Sequence, residues 1–195
     1  MSVRPTFAPQ DQMTIEEFLA FTQTRPDEER WELIEGMPVM NASPVNVHQL
    51  VVLNIGAYLL AHKTRSGALW TPALGIGTRV PISKNSLPQP DLYVQEGAAH
   101  WDHVTDDALV IFEVLSRSNT KADREWRRRV YASVPNCQHY VTVSLKAAEV
   151  GAFDRDGGWK ERKVKGFDAA LDLPALGLTM PLADVYRYTP VGQGL

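Results

Sequence analysis

The sequence predicts an α/β fold, with helices packed on a mixed sheet. Three observations carry this. A helix over about residues 43–64 places Val47, Val51, Ile55, Tyr58 and Leu59 at helical spacing, so one side of it must lie on a sheet. The run Ala108–Leu115 is apolar apart from Glu113 and reads as a strand buried on both faces. Residues 139–165 then read as an antiparallel meander of three strands. Helix, strands, helix, strands is the order of an α/β domain.

Taken in order, residues 1–12 read as a flexible tail, and Thr14-Ile-Glu-Glu17 is a capping box opening a short helix with Ile15, Phe18 and Leu19 on its apolar side. Arg30–Glu35, Gly36 and Met37–Met40 form a hairpin pattern. Ser43-Pro44 signals the start of the long helix, and Gly67 its stop. Strands are expected at Ala68–Thr71, Ile76–Ile82, Asp91–Val94 and Ala108–Leu115. Ser116–Thr120 is a cap-rich turn into a basic helix, Lys121–Val134, whose buried stripe is Ala122, Trp126 and Val130. Pro135 disfavours a helical residue before it. His139–Leu145, Glu149–Asp154 and Trp159–Lys165 make the meander, with a turn at Arg155–Gly158. Leu171–Leu173 adds an edge strand, Pro181–Tyr186 a helical turn, and residues 189–195 a second tail. No linker divides the chain, which reads as a single domain over residues 13–188.

The 195 residues are 44% hydrophobic, enough for a sizeable core. The longest apolar runs fall far short of a membrane span, and no basic-then-apolar leader opens the sequence. Cys137, the lone cysteine, can form neither an intramolecular disulfide nor a cysteine zinc site, which suits a reducing cytoplasm. A net charge of −3 argues against indiscriminate coating of nucleic acid, but not against a directed nuclease with acids at the chemistry and bases around it.

The chemistry gathers between Pro90 and Tyr131. A carboxylate inside a buried strand is costly unless it is paired or binds a metal, which singles out Glu113. Asp91 opens the preceding strand. Lys121, Arg124, Arg127, Arg128 and Arg129 follow on the basic helix. Two acids at strand ends before a basic helix suit a hydrated divalent cation and a phosphate.

Several pieces carry a resemblance: Trp31-Glu-Leu-Ile-Glu-Gly36, His48, Pro90-Asp91, Phe112-Glu-Val-Leu-Ser116, Asp123 through Tyr131, and His139-Tyr140. In this order they resemble the Uma2 family of restriction-endonuclease-like proteins, within the PD-(D/E)XK nuclease superfamily. The resemblance covers roughly residues 13–186. It implies a restriction-endonuclease-like mixed central sheet flanked by helices, with Asp91 and Glu113 converging at its edge. It also implies hydrolysis of phosphodiester bonds, in double-stranded DNA, dependent on Mg²⁺ or Mn²⁺. Asp91, Glu113 and the Val114 carbonyl would supply the oxygen ligands that Mg²⁺ favours. Many such nucleases pair as homodimers to cut both strands.

Three positions depart from the pattern. The superfamily's E-x-K tripeptide would put lysine where this chain has Leu115. The family's helical D-x-x-x-K-x-x-x-Y reads here with Arg127 in the lysine slot, which keeps the charge but cannot serve as a base. An acid that often follows the aromatic strand is replaced by Ser144. The candidate catalytic set is therefore Asp91 and Glu113, with Arg127 or Lys121 as the cation, and Glu32 could approach the metal as a third acid. The blander readings are an ion pair between Glu113 and Arg127 or Lys121, a turn-forming Asp91, an exposed Glu32, and a His48 that packs or caps. Trp70 and Trp126 read as core, whereas Trp101 lies in a loop where a base could stack. The rival to the endonuclease is a catalytically weakened nuclease fold that binds nucleic acid or a protein partner, and a third reading is a structural domain whose acids form salt bridges.

Overall fold

The computed structural model of the chain describes residues 12–26, 28–116 and 119–191, so the expected tails, apart from Gln12 and residues 189–191, lie outside the description, as do Arg117 and Ser118 of the cap-rich turn. Thr14 caps α1 (Ile15–Thr22): its hydroxyl accepts from the Glu17 N–H, and the Glu17 carboxylate accepts from the Thr14 N–H. β1 (Arg30–Ile34) and β2 (Met37–Asn41) form the expected hairpin. α2 (Asn46–Ser66) stops at Gly67, which takes the left-handed φ of 69° that favours glycine. It starts later than Ser43-Pro44 suggested. Val45 is the N-cap and makes no side-chain cap, which puts His48 in the first turn.

β3 (Thr71–Leu74) also begins later than expected. The Lys63 ammonium donates to the carbonyls of Ala68 and Trp70, at 2.8 and 2.7 Å, so that stretch wraps the end of α2 instead of pairing. Next come β4 (Gly77–Thr78), β5 (Leu92–Gln95), β6 (Val104–Thr105) and β7 (Val110–Leu115). The apolar run 76–82 forms only the two residues of β4, which pair in parallel with β6 before Val80–Ser86 turns back on itself. α3 (Lys121–Ala132) ends two residues early, where Ser133 and Val134 close on the carbonyls of Val130 and Tyr131.

After α3 come β8 (His139–Ser144), β9 (Glu149–Asp154), β10 (Glu161–Lys165), β11 (Ala170–Leu173), a 3-10 turn at Pro174–Leu176, β12 (Leu178–Pro181) and α4 (Leu182–Val185). The central sheet runs β10-β9-β8-β7-β5-β3. Only β7 and β8 in it are parallel, and α3 is the crossover that a parallel pair requires. β11 is not an edge strand of this sheet; it pairs with β12 in a separate hairpin.

Strand alternation divides the core in two. Phe112, Val114, Val141 and Val143 pack with α2, α4 and the β11–β12 hairpin, while Ile111 and Tyr140 pack with Val130 and Tyr131 of α3. Val51, Ile55 and Leu59 of α2 are buried as the periodicity demands. On α3 the expected stripe shifts by one residue. Ala122 is exposed, and Tyr131 joins Val130 in the interior because Arg127 and Tyr131 carry polar atoms that find buried partners. Thr189 and Val191, which the sequence placed in a tail, are buried. Among the described residues no helix is long and apolar enough to cross a membrane.

Candidate functional site

Asp91 stands immediately before β5. The antiparallel register pairs Leu92 with Phe112, so one further step sets Asp91 opposite Glu113 of β7. The approach of a neighbouring chain helps to fix it there. A Cβ on Gly75 would fall 1.5 Å from the Pro90 carbonyl oxygen, and the bare glycine instead donates its N–H to the Asp91 carbonyl at 3.3 Å. Asp91 Oδ2 accepts from the Val114 N–H at 2.8 Å and lies 3.2 Å from Nε2 of His48 on α2.

Glu113 is held from the other side of the sheet. Its Oε1 accepts from Arg127 Nη1 and from the Tyr131 hydroxyl, each at 2.9 Å. Arg127 and Tyr131 stand one helical turn apart on α3, so both reach the same strand. The same guanidinium forks onto Glu32 of β1, with Nη1–Oε1 at 3.0 Å and Nη2–Oε2 at 2.7 Å. Glu32 is wholly enclosed and also accepts from the Gln89 N–H at 2.7 Å. The N-terminal hairpin is tied to α3 a second time where Trp126 Nε1 donates to Glu35.

Two carboxylates thus flank one guanidinium, and they do not behave alike. Burial pushes the Glu113 carboxyl up to about 8; Arg127 opposes this, while the charges of Asp91 and Glu32 add to it. Burial alone would raise Glu32 too, but the forked ion pair with Arg127 holds it below the usual range. The difference is geometric: Glu32 takes both arms of the fork and Glu113 one N–H. Of the two, Glu113 is therefore the carboxyl that holds a proton more tightly. Arg127 is raised further above its ordinary value, since its carboxylate neighbours outweigh its burial.

The structure brings together Asp91, Glu113, Val114, Glu32 and Arg127. Lys121 is exposed on the first turn of α3, two turns before the residues that make the network. Of the alternatives for Glu113, the ion pair with Arg127 is present. Asp123 forms a capping box with Thr120. Trp70 is buried, Trp126 half-buried and Trp101 fully exposed. Arg79 and Lys84 line an open cleft of about 600 Å³ together with Asp106, Asp107 and Asn136. His48 does more than pack or cap, and Tyr131 is a full member of the cluster. The signal for Tyr131 was its place four residues after Arg127, whereas nothing local joined His48 to Asp91.

Among the described residues no group of three or more His, Cys, Asp or Glu side chains is arranged to hold a metal ion. The donors nevertheless fit Mg²⁺ or Mn²⁺, because Mg²⁺ commonly takes one or two carboxylates and keeps several waters.

A family model described as "Putative restriction endonuclease", Uma2, matches residues 15–183. The chain belongs to the Uma2 family. This Uma2 chain is also similar in fold to a crystal structure of "a putative nuclease belonging to DUF820" from Anabaena variabilis ATCC 29413, with a TM-score of 0.70 at 14% identity, covering 89% of this chain and 97% of that one. It is 34% identical over 86 residues to the uncharacterized protein slr1290 of Synechocystis sp. (strain ATCC 27184 / PCC 6803 / Kazusa), covering 43% of this chain and 44% of that protein. The match thus spans less than half of that relative's length. The family and the mixed nuclease-type sheet are those the sequence implied.

Proposed function

We propose that the protein is a Mg²⁺- or Mn²⁺-dependent endonuclease that hydrolyses phosphodiester bonds in double-stranded DNA. The observation that carries this reading is the paired setting of Asp91 and Glu113. Each has one oxygen gripped by the protein, Oδ2 by Val114 and His48 and Oε1 by Arg127 and Tyr131, which leaves Oδ1 and Oε2 as the atoms to meet a cation. Val114 adds a third donor. The N–H and C=O of a strand residue face the same neighbour, so its carbonyl lies on the Asp91 side. Bound there, the ion supplies an activated water and charge neutralisation at a phosphoryl oxygen.

The remaining roles fall to the chain itself. Arg127 keeps Glu113 and Glu32 in place and offsets their charge. Lys121, Arg124 and Arg129, exposed on α3, would bind the phosphate backbone. Cutting both strands calls for two such centres, hence a homodimer, and a reducing cytoplasm suits the buried thiol of Cys137. The test is nicking of supercoiled plasmid by purified protein with Mg²⁺, with Mn²⁺, and with chelator. Cleavage that requires the metal supports the reading, and its absence at every metal concentration removes it.

One observation favours a second reading, a nuclease fold that only binds. Arg127 already neutralises Glu113, and Leu115 stands where the superfamily carries lysine. In that case DNA binding would persist while Mn²⁺ titration showed no binding at Asp91 and Glu113.

A further inference from the structure

We infer that His48 is a positioning residue, which turns Asp91 so that Oδ1 faces the cation; the inference rests on the metal reading above. Its Nε2 lies 3.2 Å from Asp91 Oδ2, and its side chain is 9% exposed. Of the two ring nitrogens, Nε2 makes this close approach and Nδ1 does not. That Nδ1 is buried and has no hydrogen-bond partner among the described residues.

An orphaned buried nitrogen opposes folding. Packing alone would be served better by methionine or leucine, which fill similar space with no polar atom. The contact with Asp91 is what histidine adds at this position. The direction of approach supports the same role. His48 enters from α2, whereas Glu113 is held from α3, so the two carboxylates are clamped from helices that pack against different parts of the core. With Oδ2 accepting from the Val114 N–H and lying 3.2 Å from His48 Nε2, rotation of the Asp91 carboxylate is restricted. Groups behind a ligand that do this commonly govern metal affinity.

The experiment is calorimetric Mn²⁺ binding to the whole chain and to three variants, with a thermal melt of each in metal-free buffer. His48→Gln keeps an N–H donor near the position of Nε2. His48→Met fills the space without one, and His48→Asn carries a donor too short to reach Asp91. We expect His48→Met and His48→Asn to weaken Mn²⁺ binding about 10–100-fold and His48→Gln to stay within about threefold of wild type. The metal-free melting temperature of His48→Met should not fall, because the orphaned nitrogen is gone. Wild-type affinity in whichever of the Met and Asn variants folds, or a loss in His48→Gln equal to theirs, overturns the positioning role. If wild type itself binds no Mn²⁺, the metal reading fails and the inference fails with it.

Discussion

Arg127 grips Glu32 through both carboxylate oxygens, across 95 positions of sequence, while one of its arms also serves Glu113. Removing the arginine would strand the enclosed Glu32 carboxylate and take a donor from Glu113. Arg127→Ala should therefore lose about 3–5 kcal/mol of stability in urea unfolding. The paired replacement Glu32→Gln with Arg127→Met removes the ion and its forked partner together, and should recover a large part of that loss. Equal losses in the single and double variants would show that the pair is not what stabilises the site.

Cleavage should separate the two candidate cations. Arg127→Lys keeps a charge between Glu113 and Glu32 but not the fork, so it should fold and retain or raise plasmid nicking. Arg127→Ala should lose most activity. Lys121→Ala, altered at an exposed site, should lose less than Arg127→Ala and weaken DNA binding mainly at low salt. An inactive Lys121→Ala beside a normal Arg127→Ala would make Lys121 the essential cation.

Asp91→Asn and Glu113→Gln preserve shape and each remove a hard anionic ligand. Both should abolish metal-dependent nicking while circular dichroism and cooperative unfolding stay native. Wild-type cutting by either variant would place the metal elsewhere.

The Glu113 carboxyl, raised to about 8 from an ordinary 4.5, binds its proton more tightly folded than unfolded. Its contribution to stability is complete below pH 4.5 and is lost as pH rises through about 8. Unfolding free energy should decline across that window in wild type and stay flatter in Glu113→Gln. Glu32, held low, acts in the opposite sense: its contribution is present above 4.5 and is lost as the solution is acidified below that. Mn²⁺ must displace the Glu113 proton, so binding near neutral pH should release protons to buffer, and the release should fade above about 8. Proton release that does not vary with pH would contradict this order.

Glu113 was legible because a lone carboxylate in an apolar strand demands a partner whatever the fold. α2 was legible because five apolar positions at helical spacing admit few other readings. The partners were harder. His48 meets Asp91 only because α2 begins at Asn46 and crosses the sheet at that point, and Arg127 finds Glu32 only once the hairpin has docked on α3. The strand expected at Ile76–Ile82 failed for a related reason. Val80 is buried there by packing in the α3-side core while Ile82 is exposed, and no strand ladder extends beyond Thr78.

The two margins of the central sheet bear on how copies of the chain meet. At one end β10 exposes Glu161, Arg162, Lys163 and Lys165; at the other, β3 has four residues and includes Pro72, which lacks an N–H. Charge at one border and a missing donor at the other both discourage the addition of a foreign strand. Growth of the sheet from molecule to molecule, the first step toward fibrillar aggregation, is therefore opposed at both margins. A homodimer that brings two cutting centres to one duplex would be built from helices and loops.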